Sequence, residues 1–261
     1  MNRHASLVAL LCAAVLSSCD WYEKNTVQDI AGPVPAGAKI KFFNFGVSSP
    51  AVNFYANTRK MTAVSSVTGK ESNLGVAYGG VGAGGFYTAI AAGQYTLSGK
   101  IADTAVNHDL AISNLTATLE AGKFYSFYQS GRYDTTSKTV DAFIVEDAFV
   151  PQIDYAVAHV RFVHAIYNAN PMTLYATIRN AVDTTKVDTV AVGAEVAYKS
   201  AGAFTPLRGG VYNLLTRYAS GTTNVLTRTG VPFLAGRVYT IGARGDITVT
   251  STTALDNTLN R

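Results

Sequence analysis

The chain has 261 residues, 48% of them hydrophobic, with a formal net charge of +4 and only two cysteines, Cys12 and Cys19. Basic residues are spread along it without a run of Lys or Arg, which excludes the clustered basic surface that nucleic-acid binding requires. Cysteine stops at position 19, so the remaining 242 residues hold no disulfide and must be stabilised by apolar burial.

In chain order, Met1 to His4 carry one Arg, and Leu7 to Leu16 form a short apolar run. Its length suits a secretory signal and falls far short of the roughly 20 residues that span a bilayer. The run ends in Leu16-Ser17-Ser18-Cys19, which resembles the lipobox of bacterial lipoproteins. That resemblance implies a signal peptide at 1–18, removed with Cys12, and a diacylglycerol thioether on Cys19. Two or three acyl chains hold a protein on a membrane essentially for good, at about 0.8 kcal/mol per buried methylene. The mature charge is then +3, because residues 1–18 contain one Arg and no acid. Residues 19–37 mix charge, Pro33, Pro35 and glycines without an apolar period and read as a tether. The eighteen residues from Asp20 to Gly37 reach roughly 60 Å when drawn out.

From Ala38 onward the sequence says the same thing twice. "AKIKFFN" at 38–44 answers "AHVRFVH" at 158–164, "NFYA" at 53–56 answers "TLYA" at 173–176, and "VAY" at 76–78 returns at 196–198, all at an offset of 120. Further on, "AAGQYTL" at 91–97 answers "RGGVYNL" at 208–214, and "LEAGKFYSF" at 119–127 answers "FLAGRVYTI" at 233–241, at offsets of 117 and 114. This places a first repeat at 38–148, a second at 156–250 and a C-terminal tail at 251–261 that reads as a frayed end.

Within each repeat, short segments rich in Val, Ile, Phe, Tyr and Thr are bounded by Gly, Asn, Asp or Pro, and no window keeps a helical period. The fold class expected is all-β: two tandem immunoglobulin-like antiparallel β-sandwich domains. In the opening strands Ile40 and Phe42 alternate with Lys39 and Lys41, and Val160 and Phe162 with His159 and Arg161, so one face is expected buried and the other wet. Gly122 and Gly236 in "AG[KR]xY[ST]" supply a turn, after which Tyr125 and Tyr239 are expected to send their hydroxyls back to a loop carbonyl.

These strands, in this order and doubled behind a lipobox, resemble the family called domain of unknown function 4397. The resemblance implies exported or lipid-anchored β-sandwich proteins with no assigned activity or catalytic residue. Asn44 departs from the His that commonly ends the first strand, whereas His164 keeps it. A metal at that position would therefore be lost from the first copy.

Catalytic signals are weak. His159 and His164 lie five apart, on opposite faces of a strand, and His108 has no carboxylate pattern tying it to either. HExxH, GxSxG and SxxK are absent. The cluster "GGVGAGG" at 79–85 lacks the helix that follows a phosphate loop and reads as a β connection. Arg244-Gly245-Asp246 reads as a turn, not an adhesion tripeptide. Four Asp-Thr sites, at Thr104, Thr135, Thr184 and Thr189, resemble an O-glycosylation signal in loops. The chain is thus expected to be a non-catalytic envelope lipoprotein, with no cofactor and no metal, held by lipid to a bacterial membrane, outer membrane foremost. Its partner is an envelope protein or a glycan. The alternatives are an architectural spacer and an unrecognised hydrolase.

Overall fold

The computed structural model describes residues 37–62, 74–179, 186–219 and 221–261. The signal peptide, Cys19, nearly all of the tether and Thr184 lie outside them. Residues 37–261 form one compact unit. Among the described residues no helix is long and apolar enough to cross a membrane.

Among the described residues, eighteen strands are arranged as two copies of one topology. The first copy contains β1 (Ala38–Asn44), β2 (Val52–Ala56), β3 (Arg59–Lys60), β4 (Gly80–Val81), β5 (Thr88–Ile90), β6 (Gly93–Ile101), β7 (Ala111–Leu119), β8 (Phe124–Asp134) and β9 (Thr139–Glu146). The second contains β10 (Val157–Ile166), β11 (Met172–Arg179), β12 (Val187–Ala191), β13 (Ser200–Ala201), β14 (Thr205–Arg208), β15 (Gly210–Tyr218), β16 (Leu226–Phe233), β17 (Val238–Asp246) and β18 (Val249–Leu259). Each copy is a two-sheet sandwich. One sheet runs β4-β1-β8-β9 with β5 also on β1, and the other β3-β2-β6-β7; the second copy repeats this as β13-β10-β17-β18 with β14 on β10, and β12-β11-β15-β16. Even the isolated bridge Val52 to Val76 recurs as Met172 to Val196, which explains the repeated "VAY".

Two expectations are corrected. The sheets are not wholly antiparallel: β1 runs parallel to β8, and β10 to β17, because the opening strand docks beside the eighth after a long return through the second sheet. Nor is there a frayed tail at 251–261. Residues 249–259 pair with β17 along its length, since Leu255 faces the core while the backbone completes the sheet edge.

Each sandwich encloses its own core. Ile40, Phe42, Phe54, Leu97 and Phe127 fill the first, and Val160, Phe162, Leu174, Phe233 and Ile241 the second. Burial of such side chains contributes roughly 1.5 to 3 kcal/mol each. The tyrosine motif is repeated to the atom. Gly122 and Gly236 take φ of 78° and 74°, and the hydroxyls of Tyr125 and Tyr239 accept from the backbone N–H of Glu120 and Leu234, both at 3.1 Å. The partner is an N–H, not the carbonyl expected, because the tight turn aims the amide inward. The carbonyl bond belongs instead to the "GxY" tyrosines: Tyr95 donates to Ala91 O and Tyr212 to Arg208 O.

The largest departure concerns the face expected to be wet. Lys41 and Arg161 are 1% and 2% exposed, and Phe43, Phe45, Tyr128 and Phe143 of the first repeat pack with Val163 and Ala165 of the second. The outer faces of β1 and β8 lie against those of β10 and β17, so the four sheets stack as four layers, roughly 30 Å between the outermost at about 10 Å per step. Phe43, Tyr128 and Phe143 stack in series at 4.6 and 5.0 Å. The ring of Phe45 reaches so close to Gly242 that a Cβ there would come within 2.9 Å of it.

Candidate functional site

The interface between the repeats is a polar clamp with near two-fold symmetry, and the duplication explains it. Lys41 and Arg161 occupy the same position of β1 and β10. Lys41 Nζ crosses to the second repeat and donates to Leu259 O at 2.9 Å and Asn260 Oδ1 at 3.1 Å. Arg161 crosses the other way, donating to Glu146 O at 3.0 Å and to the Asp147 carboxylate. Glu146 and Asp147 correspond to Leu259 and Asn260, because Glu146 pairs with Tyr125 as Leu259 pairs with Tyr239. Each cation also lies over an equivalent ring, Lys41 over Tyr87 at 4.3 Å and Arg161 over Phe204 at 4.9 Å.

Symmetry breaks at the charge. Asp147 stands where the second repeat has Asn260, and it faces the guanidinium, whose planar fork suits a carboxylate. Asp147 Oδ2 also accepts from Tyr87 OH at 2.5 Å and Ser126 Oγ at 2.8 Å. Burial lowers the Lys41 ammonium to about 8; the Asp147 charge opposes that shift and Arg161 adds to it. Burial, followed by Asp147, pushes the Tyr87 phenol up. Lys41 was expected to be solvated, and so was Arg161. A signal against this was present: the same face of β1 continues as Phe43 and Phe45, which a wet face does not carry.

Beside Lys41 the interface opens into a cleft of about 500 Å³. One wall is Gly84 to Tyr87 from the first repeat; the other is Asn257 to Arg261 from the end of the second, with Arg237 at the "AGR" turn. A smaller cleft of about 210 Å³ shares Val81, Asn257 and Thr258 with it. The first wall is where the two copies differ. The path from Tyr78 to Tyr87 is three residues longer than that from Tyr198 to Phe204. Its residues Ala83, Gly84 and Gly85 take φ of 52°, 64° and 85°, folding the extra length into one turn that leaves Phe86 76% exposed. The glycine cluster is thus a β connection, as read from the sequence.

The other sequence candidates fall elsewhere. Thr104 and Thr135 are exposed on turns, whereas Thr189 is exposed on strand β12, not in a loop as expected, because β12 pairs with β11 through this segment. The Arg-Gly-Asp triplet ends β17 and is engaged at both charges. Arg244 pairs with Asp256 at 2.5 Å and lies over Tyr78, and Asp246, 2% exposed, accepts from Tyr167, Asn168 and Thr248. Those donors hold its carboxyl well below the usual range.

The histidines do not converge. His108 is exposed on a turn, His159 is buried on β10, and among the described residues no group of three metal-ligating side chains forms. His164 has a structural task. Its Nδ1 accepts from Ile166 N at 3.2 Å, so Nε2 carries the proton and donates to Asn170 O at 3.1 Å. Burial lowers its basicity. Asn44 makes the same two bonds at the same spacing, Oδ1 accepting from Gly46 N at 3.2 Å and Nδ2 donating to Pro50 O at 3.3 Å. Asn and His are interchangeable here as strand-to-loop braces, and both ring nitrogens of His164 are occupied.

These features define a tandem β-sandwich module of two interlocked repeats with a cleft between them. The chain belongs to the family described as domain of unknown function DUF4397, whose model matches residues 38–175, through the first repeat and into β11. No curated protein matches it. Among solved structures, a "putative cell adhesion protein" from Bacteroides ovatus ATCC 8483 aligns over 88% of this chain and 97% of its own, at 11% identity and a TM-score of 0.27, a likeness too loose to carry an argument.

Proposed function

We propose that this is a non-catalytic lipoprotein of the bacterial cell envelope, held at the outer membrane through lipid on Cys19 after removal of residues 1–18. In this reading residues 19–37 form a tether, and the paired sandwiches hold out the inter-repeat cleft to an envelope protein or a glycan. The observation that carries the binding role is the three-residue insertion with Phe86. Two otherwise matching repeats differ at the wall of their shared cleft, and the difference places a large apolar ring in water. Exposed aromatic side chains carry much of the energy of recognition surfaces.

Face-to-face stacking speaks against the spacer alternative, because two sandwiches laid on each other give up the length that end-to-end domains provide. Thr104 and Thr135, exposed on turns, suit modification by a bulky glycan in this reading. The experiment is site-specific photocrosslinking in the native host. p-Benzoylphenylalanine at position 86 should yield adducts with envelope components, and the same probe at Val211 on an outer sheet should not. An equal or empty pattern at both positions would sink the binding role. For the anchor, Cys19→Ser should release the chain from the membrane fraction.

A further inference from the structure

We infer that the cleft is a subsite for an acidic sugar, a hexuronic acid unit of a longer saccharide; this rests on the binding role proposed above and names its ligand. Four observations converge. First, the side-chain charge is one-sided: Lys41, Arg237 and Arg261 line the larger cleft, and no Asp or Glu side chain does. In the smaller cleft the one acid, Asp256, is paired with Arg244. Second, the cations are differently engaged. Lys41 is held by Leu259 and Asn260, and Arg261 lies over Phe124 and Phe149 at 4.7 and 4.5 Å. Arg237 is exposed, and among the described residues its guanidinium has no partner, so it is the cation available to a carboxylate. Bidentate Arg to carboxylate pairing is among the strongest polar contacts a ligand can make.

Third, the ring of Phe86 stands at the mouth with one side over Gly84 and the rest in solvent, a platform for the apolar face of a pyranose. Fourth, Asn257 lines both clefts and carries a buried Oδ1 acceptor with no hydrogen-bond partner. An acceptor in that state is costly, and a sugar hydroxyl that reaches it would supply the missing donor. A cation at the rim, an apolar platform and an acceptor within fit a carboxylated, hydroxyl-bearing ring better than a bare anion or an apolar ligand. The volume lies in the range of small-ligand sites.

The test is isothermal titration of the full chain in detergent with trigalacturonate, its neutral counterpart α-1,4-galactotriose, and acetate. Trigalacturonate should bind and the other two should not. Phe86→Ala and Arg237→Ala should each weaken binding about tenfold or more, Arg237→Ala also flattening its salt dependence, while Val211→Ala leaves it unchanged. Phe86, Arg237 and Val211 are all exposed, so thermal melts of the variants should match the parent and exclude misfolding. Equal binding of galactotriose overturns the acidic specificity and leaves a glycan cleft. No saccharide binding, with crosslinks still forming at position 86, overturns this inference and leaves a protein partner. The absence of both overturns this inference and the binding role together.

Discussion

Arg161, in the middle of the second repeat's opening strand, donates to the carboxylate of Asp147, the residue that follows the last strand of the first repeat, and both are almost wholly buried. The pair ties the end of one sandwich to the centre of the next. Removing one partner leaves the other charge buried and alone, which is far costlier than removing both. Asp147→Ala should therefore cost about 3 to 5 kcal/mol in urea unfolding, and Arg161→Met with Asp147→Leu should recover most of it. A simple sum of the two single losses in the double variant would show that the residues do not act as a pair.

Lys41 makes stability depend on pH in a set direction. Its folded value of about 8 lies below its unfolded 10.5, so between those pH values the unfolded chain binds more protons. Stability carried by this residue accordingly rises as pH climbs through 8 towards 10. Lys41→Met should be less pH-dependent than the parent between pH 7.5 and 9.5 in paired denaturation curves, with its largest relative gain at the lower end. A parallel pair of curves would mean that Lys41 is not desolvated by the second repeat.

The brace formed by His164 is structural. His164→Ala strands the N–H of Ile166 and the carbonyl of Asn170 and should cost about 3 kcal/mol. His164→Asn should cost half of that or less, because Asn44 makes the same pair of bonds in the first repeat. Thermal melts in the presence and absence of a chelator should coincide for the parent and for both variants.

Tyr125→Phe and Tyr239→Phe each remove one hydroxyl acceptor from a turn amide and should each cost about 1 kcal/mol. The two costs should be nearly equal, since the motif is the same in both repeats. A large difference would mean that one tyrosine has a further task.

If hexose is attached to Asp-Thr sites in the native host, peptide mapping should find it at Thr104 and Thr135 before Thr189. The first two sit on exposed turns and the third on a paired strand, where a glycan must clear neighbouring strands. An intact mass without added hexose would remove the assignment.

The sequence by itself determined the duplication, the all-β character and the pairing of equivalent strands, because alternation, turn glycines and repeated tyrosines are local patterns that dictate local backbone. "AG[KR]xY" specifies its turn wherever it stands. What only the tertiary structure decided is which polar residues are solvated. Lys41 and Arg161 alternate with core residues and look wet in a single strand, yet each is covered by the other repeat: Lys41 by Leu259 and Asn260, more than 200 residues away, and Arg161 by Glu146 and Asp147 at the end of the preceding sandwich. Residues 251–259 likewise look polar and loose until their backbone finds β17. Burial depends on which surface comes to lie opposite, and that is fixed by the fit of Phe45 against Gly242 and of Lys41 against Leu259, contacts between distant positions that no local window contains.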